Sequence, residues 1–99
     1  MIGVTYEITA AVSEDLVIAF ETFMIGRHIP DLMATGCFSG ATFSRSQSGR
    51  YRIRYEAHDR ESLDKYMLEH AARLREDVLN TFPDGLDISR EEWDVLASF

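Results

Sequence analysis

Two stretches of this chain alternate apolar and polar residues so regularly that they can only be extended strands, and that constrains everything between them. From Ile2 to Val12 the residues Ile2, Val4, Tyr6, Ile8, Ala10 and Val12 alternate with Gly3, Thr5, Glu7, Thr9 and Ala11. From Arg50 to His58, Tyr51, Ile53, Tyr55 and Ala57 alternate with Arg50, Arg52, Arg54, Glu56 and His58. A period of two sends each set to one face of a pleated strand, so both runs call for a sheet with one covered face.

The cover has to come from the segments between. Ser13 offers a helix N-cap, with Glu14 and Asp15 in the first turn, where the helix dipole favours negative charge. At about 100° per residue Leu16, Val17, Phe20, Phe23 and Met24 then share one face. Gly26 and Pro30 predict a break, leaving Ile29 to Ala34 as a separate short turn that stops at Gly36. Cys37 to Ser46 pairs with the Arg50 run as a hairpin through Ser48-Gly49. Asp59 caps a second, longer helix whose stripe is Leu63, Met67, Ala71, Leu74 and Val78, ended by Pro83-Asp84-Gly85. In the last strand, Leu86 to Ala97, the apolar phase changes between Ile88 and Trp93, which predicts a bulge near Arg90 or Glu91.

The order is βαββαβ, an α+β chain. It predicts a single ferredoxin-like domain over residues 1–99, a four-stranded antiparallel sheet with two helices on one face. The first and third strands are then central. Their uncovered faces place Thr5, Glu7, Thr9, Arg52, Arg54, Glu56 and His58 side by side, too polar for a dry sandwich.

Seventeen acidic residues against ten basic ones give a formal charge of −7, which repels phosphate backbones and anionic membranes; no nucleic-acid partner is expected. Cys37 is the one cysteine, so an internal disulfide is impossible and a reducing cytoplasm is the expected location. Met1 to Glu7 lacks the basic segment and apolar core of a signal peptide, and no run is long enough to span a membrane. A chain this short buries a modest share of its surface, which favours a homodimer. Phosphate loops, dinucleotide fingerprints, zinc signatures and Ser-His-Asp motifs are all missing from the sequence.

Two segments, His28-Ile29-Pro30-Asp31-Leu32-Met33-Ala34-Thr35-Gly36-Cys37-Phe38 and Glu69-His70-Ala71-Ala72-Arg73-Leu74-Arg75, carry a resemblance. Through them the chain resembles the small bacterial proteins of domain-of-unknown-function family 4286, from the first strand to Leu96. The resemblance implies membership of the wider dimeric α/β-barrel group, in which two ferredoxin-like sheets pair. That group includes cofactor-free monooxygenases, haem-degrading enzymes, lactone isomerases and non-catalytic proteins, so fold alone selects no function. The family usually has proline after the His-Ala pair; Ala72 stands there, which implies a more regular helix.

Enzymes of the resembling group place substrate between helices and sheet, and the second helix has a polar flank there: Tyr66, His70, Arg73 and Asp77. His70 is the candidate general base, with Tyr66 or Asp77 orienting it and Arg73 holding an anion or enolate. An ordinary hydrogen-bonded helix margin is the plainer reading. His28, at the helix break, is the second catalytic candidate, or else a cap for the carbonyls ahead of it. If a site exists, the two imidazoles are expected on one cavity. Trp93 is a further candidate binding residue or a core or interface side chain. Glu56 with His58 is a weak metal pair, and no metal or other cofactor is expected. Cys37 suits packing better than nucleophilic chemistry, and Ile18 and Ile25 project away from the core stripe as a modest contact surface.

Two functions follow as expectations. One is a dimer that binds a small aromatic or anionic molecule, as a cofactor-independent monooxygenase- or isomerase-like enzyme or a carrier. The other is a non-catalytic structural or protein-interaction module.

Overall fold

A computed structural model describes residues 2–99. Strand β1 (Gly3–Val12) leads through a tight 3-10 turn (Glu14–Leu16) into helix α1 (Val17–Phe23), a π-helical turn (Met24–His28) and helix α2 (Ile29–Ala34). The hairpin β2 (Phe38–Arg45) and β3 (Tyr51–Ala57) follows, then helices α3 (Arg60–Glu69) and α4 (Ala71–Thr81), and strand β4 (Leu86–Val95). The four antiparallel strands run β2-β3-β1-β4, so β1 and β3 are central as the alternation requires.

Tyr6 stands opposite Tyr55, Ile8 opposite Ile53 and Ala10 opposite Tyr51, which gathers the apolar sets of both runs on one face. The helices cover that face. Phe20 packs its ring on Tyr51 at 5.1 Å, and Tyr66 packs on Phe38 at 5.0 Å and on Tyr6 at 5.8 Å. Asp59 caps α3 by accepting from the Ser62 N–H at 2.7 Å. Ser13 makes no side-chain cap; its carbonyl accepts from Leu16 N–H and its own N–H donates to Gly85 at 2.8 Å. Gly85 has φ +87, and a Cβ there would meet Leu16 Cδ1 at 2.5 Å, so this junction needs glycine.

Four expectations are corrected. The first helix does not break at Gly26 and Pro30. It continues through the π turn, because Pro30, the second residue of α2, has no N–H to return to the Gly26 carbonyl and the wider turn makes room for its ring. The second helix, expected to be regular, is interrupted at His70, whose φ of −126° and ψ of −31° leave the helical range even with Ala72 in place of proline. With the interruption Met67 is only partly buried, and Tyr66 takes the core position. The last strand has no bulge near Arg90 or Glu91: its pairing with β1 runs evenly from Gly3↔Val95 to Val12↔Leu86. The irregularity lies in β2, between Phe38 and Gly40. The change of apolar phase in β4 is a change of face. Leu86 and Ile88 point under the helices, while Trp93, opposite Thr5, lies on the uncovered side of the sheet and is 48% exposed.

Phe20 is buried among Tyr51, Phe43 and Phe82. Phe20→Ala should therefore cost about 3–5 kcal/mol in urea unfolding; a loss below about 1 kcal/mol would show that the ring does not hold the first helix to the sheet.

Candidate functional site

Between the covered sheet face and the helices lies a narrow slot. Its floor is Tyr6, Ile8, Ala10, Ile53, Tyr55, Ile88 and Arg90; Phe20, Met24, His28 and Leu32 form one wall, and Tyr66, Arg75 and Val78 the other. The unfilled space is about 460 Å³ including its mouth. The floor crosses three strands from β3 through β1 to β4, since Arg90 stands beside Ile8 and Ile8 beside Ile53.

The π turn puts His28 there. Phe20, Met24, His28 and Leu32 recur every fourth residue, and at about 100° per residue each such step drifts by about 40°, carrying Leu32 about 120° from Phe20. A π turn rotates less per residue, so Met24, His28 and Leu32 all stay buried. His28 stacks against Phe23 at 5.6 Å, and burial lowers its proton affinity, opposed by Asp77 and Asp31. The imidazole is thus held neutral.

The break at His70 sorts the polar flank of the second helix. On an unbroken helix His70 would lie near the middle of the buried stripe, within about 20° of Leu63. Instead the chain turns there: Ala71 takes the buried position, and the His70 side chain is 24% exposed, its ring 6.3 Å from Tyr66 and Nε2 4.0 Å from Glu69. Helix α4 resumes in a shifted phase. Arg75 turns inward, donating to the Tyr6 hydroxyl at 3.1 Å, while Arg73 and Asp77 line a shallow outer groove with Arg27, Asp31 and Asn80. Arg27 pairs with Asp77 at 2.5 Å across that groove.

Of the residues singled out in the sequence, His28 and Tyr66 therefore line the slot. His70 flanks it behind Tyr66, Arg73 and Asp77 face outward, and Trp93 is on the opposite side of the sheet; the two imidazoles do not share the cavity. The sequence reading missed Tyr6, Tyr55, Arg75 and Arg90. The tyrosines read as core, and the arginines are visible only once the break in the helix and the even register of β4 are known.

Among the described residues three buried polar atoms of this slot, His28 Nδ1, Tyr55 Oη and Arg75 Nε, have no hydrogen-bond partner. Burial pushes the Tyr55 and Tyr66 hydroxyls far above the usual phenol range, so both stay protonated. An unpartnered buried donor or acceptor costs about 1–3 kcal/mol. His28, Tyr55 and Arg75 all line the slot, so three of the polar groups left without a partner among the described residues belong to its lining.

The model of the family described as a domain of unknown function (DUF4286) matches residues 3–95. No curated protein matches by sequence. Among solved structures the fold is similar to SnoaB, a cofactor-independent oxygenase from Streptomyces nogalater, with TM-score 0.72 at 10% identity over 97% of this chain and 96% of that one. It is similar to a dimeric ferredoxin-like protein from an uncultured marine organism, with TM-score 0.73 at 16% identity over 97% of each. A protein of unknown function from Nitrosomonas europaea gives 0.67 at 12% identity, over 98% of this chain and 92% of that one.

The lowered proton affinity of His28 fixes the sign of a pH effect. The unfolded chain takes up a proton near the ordinary value of 6.5, while the folded chain resists it. Stability is therefore complete above that value and is lost as pH falls below it towards the depressed folded value. Urea midpoints measured from about pH 7.5 down to about pH 5.5 should fall more steeply for the wild type than for His28→Gln; equal slopes would show that the imidazole is not buried neutral.

Proposed function

As the chain belongs to the DUF4286 family, for which no activity is defined, we propose that it is a homodimer holding one small aromatic or anionic molecule per protomer in the slot, as a cofactor-independent enzyme of monooxygenase or isomerase type. The observation that carries this reading is that three residues lining one slot, His28, Tyr55 and Arg75, each hold a buried polar atom (Nδ1, Oη and Nε) without a partner among the described residues.

In this reading the neutral His28 is the general base, and Arg75 and Arg90 offset the charge that proton removal leaves on a phenol or an activated carbon. Tyr66 and Tyr55 are hydroxyl donors to the bound molecule. His70 acts from behind Tyr66 as a positioning group, and Arg73 and Asp77 belong to the outer wall. The likeness to a cofactor-independent oxygenase agrees with this chemistry.

Dimerisation is supported by the uncovered sheet face, where the basic Arg52 and Arg54 adjoin the acidic Glu7 and Glu56 in register. The Arg54 Nε is buried there without a partner among the described residues, and Trp93 lies on the same side. The dimeric ferredoxin-like protein of the same fold agrees. A partner sheet would cover Trp93, which gives that side chain an interface role.

Light scattering at micromolar concentration should return twice the chain mass of 11.3 kDa, and emission from Trp93 should shift to the red on dilution as the interface opens. A mass of 11.3 kDa would refute the dimer. Native mass spectrometry of freshly purified protein should show a small bound molecule released by denaturation, and His28→Ala should release it. A bound molecule that survives His28→Ala and Arg75→Gln unchanged would favour the non-catalytic interaction module.

A further inference from the structure

We infer that the molecule this slot selects is a single-ring aromatic carboxylic acid, its ring lying between the helices and the sheet and its carboxylate held by Arg75 and Arg90. The inference rests on the slot being a ligand site and names the chemistry of that ligand.

The charges around the slot carry it. The chain has seventeen acidic residues for ten basic ones, yet neither Arg75 nor Arg90 has a carboxylate within 4.0 Å among the described residues. The acids nearest Arg90 in the chain that share its side of β4 are taken: Arg60 holds Glu92 at 2.7 Å and Asp94 at 3.2 Å. Asp77, on the same helix as Arg75, is taken by Arg27. Arg75 keeps a buried, unpartnered Nε beside the nitrogen it commits to Tyr6. Arg75 and Arg90 line the same slot as Tyr66. Two planar, permanently charged donor groups without a carboxylate partner among the described residues of an acidic protein suit a planar anion with two oxygens, and His28, uncharged, adds no repulsion.

The shape carries the rest. A floor carrying Tyr6 and Tyr55, between walls carrying Phe20 and Tyr66, offers a flat ring aromatic surfaces on several sides. Tyr55 stands on β3, two strands and roughly 10 Å from β4, so the floor carries a tyrosine on its β3 side and Arg90 on its β4 side. A ring therefore spans from a polar end at β3 to a charged end at β4. Phosphate, tetrahedral and without a ring, would leave the apolar middle unfilled.

The test uses benzoate and its neutral isostere benzamide, titrated into the full chain and followed by the methyl signals of Met24, Ile53 and Ile88. Benzoate should bind at least about tenfold more tightly than benzamide, the scale of a charge-assisted hydrogen bond. Arg90→Gln should remove that preference, as should Arg75→Gln, while Arg50→Gln, which deletes the same charge at the hairpin turn, should keep it. Arg90 is exposed at the sheet edge, so its variant decides the matter even where Arg75→Gln fails to fold. Equal binding of the two probes would overturn the acid preference and leave the slot as a ligand site. A benzoate preference that survives Arg90→Gln, or that falls equally in Arg50→Gln, would overturn it as well, by tracing it to overall charge. If neither probe moves the slot signals, both the preference and the ligand site fall.

Discussion

The covered face of the two central strands is built from Tyr6, Tyr51, Ile53 and Tyr55, and the helices have to bury it without stranding its hydroxyls. Tyr51 donates to Glu21 at 2.5 Å, and that bond, with help from Arg45, holds the Glu21 carboxyl below its usual range. Tyr6 accepts from Arg75. Tyr55 finds no partner among the described residues. A sheet of aliphatic residues would accept any amphipathic helix. This one demands polar side chains at particular points beneath the helix layer: Glu21 of the regular helix α1 meets Tyr51, and the interruption at His70 brings Arg75 to Tyr6.

The π turn and the interruption at His70 are two solutions to one geometric conflict. A regular helix returns to the same direction after about 3.6 residues, so a stripe spaced by four slides off its face. The π turn slows the rotation and keeps Met24, His28 and Leu32 inward together. The interruption resets the phase of the second helix, exchanging His70 for Ala71 in the core and bringing Arg75 rather than Arg73 over the slot. Irregular helical turns of this kind commonly mark functional positions.

Charge is distributed to the same end. The ion pairs of Arg27, Arg45 and Arg60 lie at the surface, where water screens them and they add little stability, so their main effect is to occupy carboxylates and hold elements together. With those acids engaged, the slot is positive inside an acidic protein. A neutral imidazole and two protonated phenols complete a lining that carries charge at one end and hydrogen-bonding groups along its length.

The order of elements, the central position of the first and third strands and the side the helices cover are all legible in the residues, because a period of two survives any twist of the strand. His28 and Tyr66 are legible as polar groups near the buried surface. Arg75 and Arg90 are not, and the side of the sheet that Trp93 takes is hidden by a change of apolar phase that reads as a bulge and is not one. The cause is common to all three: the sequence specifies which residues are apolar, while the phase that turns each one inward accumulates along the element and is reset wherever packing widens or breaks a turn. That reset is chosen by contact with a sheet whose strands are distant in the chain, so the site was decided by the tertiary structure and the frame around it by the sequence.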